Sequence, residues 1–277
     1  MDRLMELNGI VNSFVWGPPM LILLVGTGIY LSLRTNFMSL GKLGYILKNT
    51  LLKIFKKEQK GEGEVTAFQA VATALAATVG TGNVAGVATA IAVGGPGAVF
   101  WMWFSAVMGM TTKFGEVVLS INYREKTPDG RFVGGPMYYI EKGLKMKWLA
   151  LVFAGFGALA AFGIGNMVQS NSVAAALNVS FGVPHIASGI IIAVVSAVVI
   201  LGGLKRIAQV TELLVPFMAA FYIIGGLAII IMNISHIGEA FSLIFGSAFT
   251  GSAAVGGFAG STVQLAMTKG VARGVFS

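Results

Sequence analysis

Gly80, Gly82 and Gly86 stand with Thr78, Thr81 and Asn83 inside an Ala/Val-rich run, ATALAATVGTGNVAGVATAIAVGGPG, at residues 72–97. The run is apolar enough to lie in a membrane, yet its centre is a poor helix. Each interior glycine costs about 0.5–1 kcal/mol of helix relative to alanine. An unpaired backbone amide in lipid costs more still, so a break is tolerated only where the freed groups find partners. The half-helix that starts after such a break presents N–H groups and a positive dipole end to an anion. The half-helix that ends before it presents carbonyls to a cation. The chemistry on offer is therefore a site for a small solute with an anionic head and for a monovalent cation. The alternative is a tightly packed helix whose glycines admit a neighbour, and the segment by itself leaves both open.

A second cluster lies in GIGNMVQSN, with Gly163, Gly165, Asn166, Gln169 and Ser170. On a helix, Asn166 and Gln169 share a face at i, i+3, and Ser170 follows Asn166 at i+4. Uncharged hydrogen-bonding side chains are costly within a bilayer unless they pair. We read them as lining the same cavity as the break at Gly80. The alternative is hydrogen bonding between helices, which averages about 0.6 kcal/mol.

Other residue patterns point elsewhere or nowhere. Gly80, Gly82 and Ala85 match the dinucleotide fingerprint, which requires a preceding strand and an acidic residue about 20 positions on. The preceding run reads as helix, and no Asp or Glu occurs between Glu64 and Glu116, so that reading is rejected. Lys113 and Glu116, at i, i+3, are read as a local ion pair with Lys113 snorkelling, and Glu212 as an interfacial or gating charge. The chain has no cysteine and two histidines, His185 and His236. That composition excludes disulfides and thiolate chemistry. No Ser/His/Asp, paired-carboxylate or metal-ligand constellation supports an enzyme.

The elements that must position these residues are membrane helices. Of 277 residues, 56% are hydrophobic and 11% charged, with a mean hydropathy of +0.82, against about 25% charged residues in a soluble domain. This predicts an all-α polytopic membrane protein. Spans are predicted at about 12–33, 65–94 (the broken one), 97–122, 148–178, 187–204 and 207–233. GGPG at 94–97 turns the chain between the second and third, and Trp101 and Trp103 are read as interface anchors. A short interfacial or re-entrant helix and a further inward-going span are predicted within 234–277. The connectors 34–64 and 123–147 and the pair Lys205, Arg206 are basic and fall on one side under strict alternation. This places them in the cytoplasm and the N-terminus outside. The net charge of +8 follows from that sidedness and implies no nucleic acid. The apolar residues and lysines of 40–55 suggest an amphipathic interfacial helix. The N-terminal residues lack the basic start and cleavage site of a signal peptide.

GTGNVAGVATAIAVGGPGAVFWMW (80–103), GGPMYYIEKGL (134–144), GIGNMVQSNSVAAAL (163–177) and GVARGVFS (270–277) resemble the alanine or glycine:cation symporter family, the sodium/alanine symporters of the LeuT-type superfamily. The resemblance implies a LeuT-type architecture of inverted five-helix repeats, each with a broken first helix. In one membrane domain, 1–277, residues 12–33 would be an extra N-terminal helix, 65–233 the first repeat and 234–277 an incomplete start of the second. It implies sodium-coupled symport of alanine or glycine across the plasma membrane by alternating access. Sodium would be a co-transported ion rather than a cofactor, and the lipid bilayer the other partner. By the resemblance, N–H groups around Gly80, Thr81 and Gly82 hold the substrate carboxylate, and carbonyls of Ala76, Thr78 and Val79 help hold sodium. Asn83 braces the break or touches a ligand, and Asn166 and Gln169 face the substrate. The family pattern continues beyond GVARGVFS with further helices, so the chain is expected to be truncated after its first repeat. A non-transporting assembly subunit or inactive fragment is the alternative.

Overall fold

The computed structural model describes residues 2–15, 18–50, 65–161, 163, 166–249, 267 and 270–271. The described chain is mostly helical. Helices α1 (Asp2–Val15), α2 (Pro18–Arg34), α3 (Met38–Gly41) and α4 (Leu43–Thr50) lead to the interrupted pair α5 (Ala67–Thr78) and α6 (Ala85–Gly94). They are followed by α7 (Gly97–Asn122), a two-residue hairpin of β1 (Glu125–Lys126) and β2 (Phe132–Val133), and α8 (Pro136–Gly143). Then come α9 (Lys147–Ala161), α10 (Met167–Phe181), α11 (His185–Ile200), α12 (Gly203–Met232) and α13 (Ile237–Phe249). By contacts the chain divides into two compact units. One comprises Met1–Asn49, Gly82–Gly115 and Leu227–Ser277; the other comprises Thr50–Thr81 and Glu116–Gly226.

In the first unit, α2 begins at Pro18, where a missing N–H costs nothing because first-turn N–H groups have no partner within the helix. Ser32 of α2 donates to Thr111 Oγ1 of α7 at 3.1 Å. Ser39 of α3 shares a hydrogen bond with the same Oγ1 at 3.2 Å. All three hydroxyls are buried, so each bond removes a desolvation penalty. At the other end of this stretch of α7, a Cβ added at Gly97 would lie 2.6 Å from the Ser247 carbonyl of α13. Only glycine permits that approach. It brings Trp101 Nε1 within 3.2 Å of Ala248 O, to which it donates. The Phe100 ring meets Phe249 edge-on at 4.9 Å and Phe245 at 5.6 Å. Trp101, expected as an interface anchor, also joins this cluster of aromatic rings.

In the second unit, α9 packs on α8 and α11 on α10. The 123–147 connector, read from sequence as a polar loop, carries the antiparallel hairpin, with Lys126 opposite Phe132. Arg124 lies 4.2 Å over the Phe132 ring, and Lys142 of α8 pairs with Glu125 of β1.

Helices stand where most of the spans were expected, although the stretch expected to begin at 12 is divided between α1, ending at Val15, and α2, starting at Pro18. The expected single span 148–178 is instead two helices, α9 and α10. Gly163 N–H bonds back only three residues, to Ala160 O at 3.1 Å. Glycines in this run lower the cost of leaving the i→i−4 ladder. The amphipathic helix expected in 40–55 appears as α3 and α4 up to Thr50; residues 51–64 lie outside the described residues. The short helix expected after His236 is α13. The further span expected within 250–277 falls almost wholly outside them. Among the described residues, one helix, Gly203–Met232, is by itself long and apolar enough to cross a membrane. At 30 residues it spans roughly 45 Å. The pair Phe68–Thr78 and Thr81–Gly94 passes the same test jointly, bent by 56°.

Candidate ligand site at the helix break

Thr66 starts α5 with a reciprocal cap. Gln69 N–H donates to Thr66 Oγ1 at 3.2 Å, and Thr66 N–H donates to Gln69 Oε1 at 3.1 Å, satisfying two otherwise unpaired donors. The far end of α5 has no such closure. Val79 N–H bonds to Leu75 O at 2.7 Å, and the carbonyls that follow lie past the last helical bond, where helix geometry leaves them without an intrahelical partner. Ala76, Thr78 and Val79 are at this carbonyl-bearing end. The Thr78 hydroxyl turns back to Ala74 O at 3.1 Å.

Thr81–Asn83 form a single tight 3-10 turn. The ladder resumes when Ala88 N–H reaches Val84 O at 3.1 Å. Val84, at the N-cap, provides no side-chain cap.

Within the second unit, one expected partner reaches the break. Gln169, in the first turn of α10, accepts from Thr81 N–H at 3.1 Å and from Thr81 Oγ1 at 2.8 Å, both through Oε1. A Cβ on Gly80 would run into the Gln169 amide nitrogen, so any side chain at 80 would require the amide to shift from where it lies against the turn. Asn166 stands at the N-cap of α10 with no side-chain cap bond. It is exposed, and its backbone carbonyl accepts from Ser170 Oγ at 2.7 Å. The structure thus joins Gln169 to Thr81 and leaves Ser170 folded back on its own helix. Gly80, Thr81, Gly82 and Asn83 are all half-buried.

Sequence reasoning missed a second polar bridge onto α5. Gln69 Nε2 donates to Glu212 Oε2 of α12 at 2.8 Å. The Thr73 and Thr211 hydroxyls meet at 3.1 Å. Glu212, read as an interfacial or gating charge, is tied to the same helix that carries the break. A signal was present: Thr66, Gln69 and Thr73 form a polar i, i+3, i+7 line on an apolar helix. Pro216, four residues after Glu212 inside α12, has no N–H to return to the Glu212 carbonyl, so α12 is weakened where it meets α5.

The chain matches, over residues 1–277, the family model described as the sodium:alanine symporter family. The sodium/alanine symporter AgcS of Methanococcus maripaludis is 54% identical over 271 residues, covering 96% of this chain and 58% of that protein. An uncharacterized transporter of Haemophilus influenzae is 48% identical, with the same shares covered, 96% and 58%. A probable sodium/glutamine symporter of Bacillus subtilis, GlnT, is 36% identical over 280 residues, covering 100% of this chain and 56% of that protein. These relatives are named as transporters and symporters, not enzymes. The chain spans 58% of the length of the first two.

Proposed function

The chain belongs to the sodium:alanine symporter family, and from that premise we propose that it carries the substrate and sodium elements of a secondary active transporter. The transporter moves a small neutral amino acid, alanine or glycine, with sodium across the plasma membrane by alternating access. Its N-terminus lies outside. Residues 65–233 form the first repeat of a LeuT-type architecture, 12–33 an extra helix and 234–277 the start of the second repeat.

The observation that carries this reading is the break between α5 and α6, where Gln169 already bonds to the main chain of Thr81. The N–H groups of Gly80, Thr81 and Gly82 suit a carboxylate, because main-chain donors at a helix start favour an anion. The carbonyls of Ala76, Thr78 and Val79 suit sodium, a hard cation that takes oxygen ligands. Asn83 braces the break or touches a ligand, and Asn166 and Gln169 face the substrate. Coupling follows from reciprocity. Sodium that steadies the carbonyl end of the break raises affinity for the substrate, and the substrate raises affinity for sodium by the same factor. The alanine relative at 54% identity favours alanine over the glutamine named for a more distant one.

The test is binding of radiolabelled alanine to the purified 277-residue chain, with and without sodium. It is run beside a chimera that adds the remaining length of the Methanococcus maripaludis relative. Saturable, sodium-dependent binding by either supports the reading. Binding by neither, with both helical by circular dichroism, overturns it.

A further inference from the structure

Two donors of one residue converge on a single oxygen at the break. Gln169 Oε1 takes the Thr81 N–H at 3.1 Å and the Thr81 hydroxyl at 2.8 Å. A carboxylate oxygen binding this turn needs the same pair. Gly80 leaves the space over the turn into which the Gln169 amide nitrogen is laid. The amide therefore lies along the backbone as a planar carboxyl group would, oxygen on Thr81 and nitrogen over Gly80.

We infer that Gln169 is a displaceable internal ligand: its amide oxygen holds the donor pair of Thr81 that a substrate carboxylate must take over, and the competition selects for a charged carboxylate. This rests on the carboxylate-binding role of the break proposed above. The physical basis is the difference between the two acceptors. Hydrogen bonds to an ionised oxygen are roughly twice as strong as those to a neutral amide. A free amino acid wins the donors, whereas a ligand with a neutral amide in place of its carboxylate only equals what Gln169 already supplies. Gln169 also keeps the turn's N–H and hydroxyl paired between substrates, which the cost of an unsatisfied donor in an apolar surrounding requires. The side chain is suited to exchange: long, unbranched and only half-buried, on the first turn of its helix.

The experiment compares alanine with alaninamide on the unsubstituted chain, Gln169→Ala and Gln169→Glu, in sodium. It also follows hydrogen exchange of the Thr81 amide. Gln169→Ala is expected to speed Thr81 exchange at least tenfold without ligand. Alanine affinity should hold or tighten by up to tenfold, and the preference over alaninamide should shrink. Gln169→Glu, the same length with a charged oxygen, should keep Thr81 protected and weaken alanine tenfold or more. Unchanged Thr81 exchange in Gln169→Ala overturns the inference. So does tenfold weaker alanine binding in that variant, which would make Gln169 a fixed part of the site. A measurement independent of the variants is the side-chain amide resonance of Gln169 in the unsubstituted chain: it should move when alanine is added, and a resonance unmoved at saturation overturns the exchange. Saturable alanine binding with no difference among the three chains removes only the exchange. Loss of alanine binding by the unsubstituted chain and the chimera alike removes the transport reading and the exchange with it.

Discussion

The two units use polar groups in opposite ways. In the first, the Ser32, Ser39 and Thr111 hydroxyls are buried and bonded to one another, and the Gly97 backbone lies against α13 under a cluster of aromatic rings. Such contacts have one good arrangement, because close-packed interiors do not deform continuously. In the second, α5 and the turn that follows it are held by long, half-buried side chains: Gln69 to Glu212, and Gln169 to Thr81. An amide on a flexible stem can exchange one partner for another at small cost. The comparison teaches that within one apolar chain, buried short hydroxyls and glycine contacts mark what is fixed, and half-buried amides mark what is exchangeable.

The largest expected effect separates binding from stability. Gly80→Leu should abolish sodium-dependent alanine binding, since its side chain fills the space over the turn that the substrate carboxylate must enter, while membrane insertion is unchanged. Binding that survives, measured beside a protease-accessibility check of insertion, breaks the assignment of exchange to the second unit. Next, Gly97→Val should lower thermal stability by about 1–3 kcal/mol, the usual cost of overpacking. Alanine affinity of the fraction that remains folded should be unchanged; reduced affinity would show that the first unit's packing is not merely fixed. Gln69→Leu removes the donor to Glu212 and part of the Thr66 cap, with an expected cost of about 1–2 kcal/mol. It should also change alanine uptake rate more than alanine affinity, since it frees the first half of α5 without touching the turn. Equal changes in rate and affinity would make the Gln69–Glu212 bridge part of the ligand site. The smallest effect is expected for Thr111→Val. Two hydroxyl bonds are lost for about 1 kcal/mol, read by thermal unfolding in detergent, with no effect on binding.

Much of this was legible before any coordinates. The break around Gly80 is a local matter: glycines at 80 and 82 in an Ala/Val run weaken the helix wherever the run is placed, and the structure ends α5 at Thr78 and resumes α6 at Ala85. The GGPG turn and the helix after His236 were equally local. The division of 148–178 was misread because apolar composition favours one long span, whereas Gly163 leaves the i→i−4 ladder there. The hairpin after α7 was missed because two-residue strands carry almost no periodic signal.

The sequence by itself determined the class of protein, the place of the break and the residue types able to serve it. Its blocks of similarity pointed to the family to which the chain belongs. Those properties rest on composition and on backbone energetics within a few residues. Tertiary structure alone decided that Gln169 meets Thr81 across 88 residues, that Asn166 stays exposed, and that Gln69 ties the broken helix to Glu212 across 143. The reason is physical. A helix face can be read from spacing, but which of its polar groups finds a partner depends on the path of the chain in between, and that path is set by the packing of many apolar residues that are nearly interchangeable in sequence.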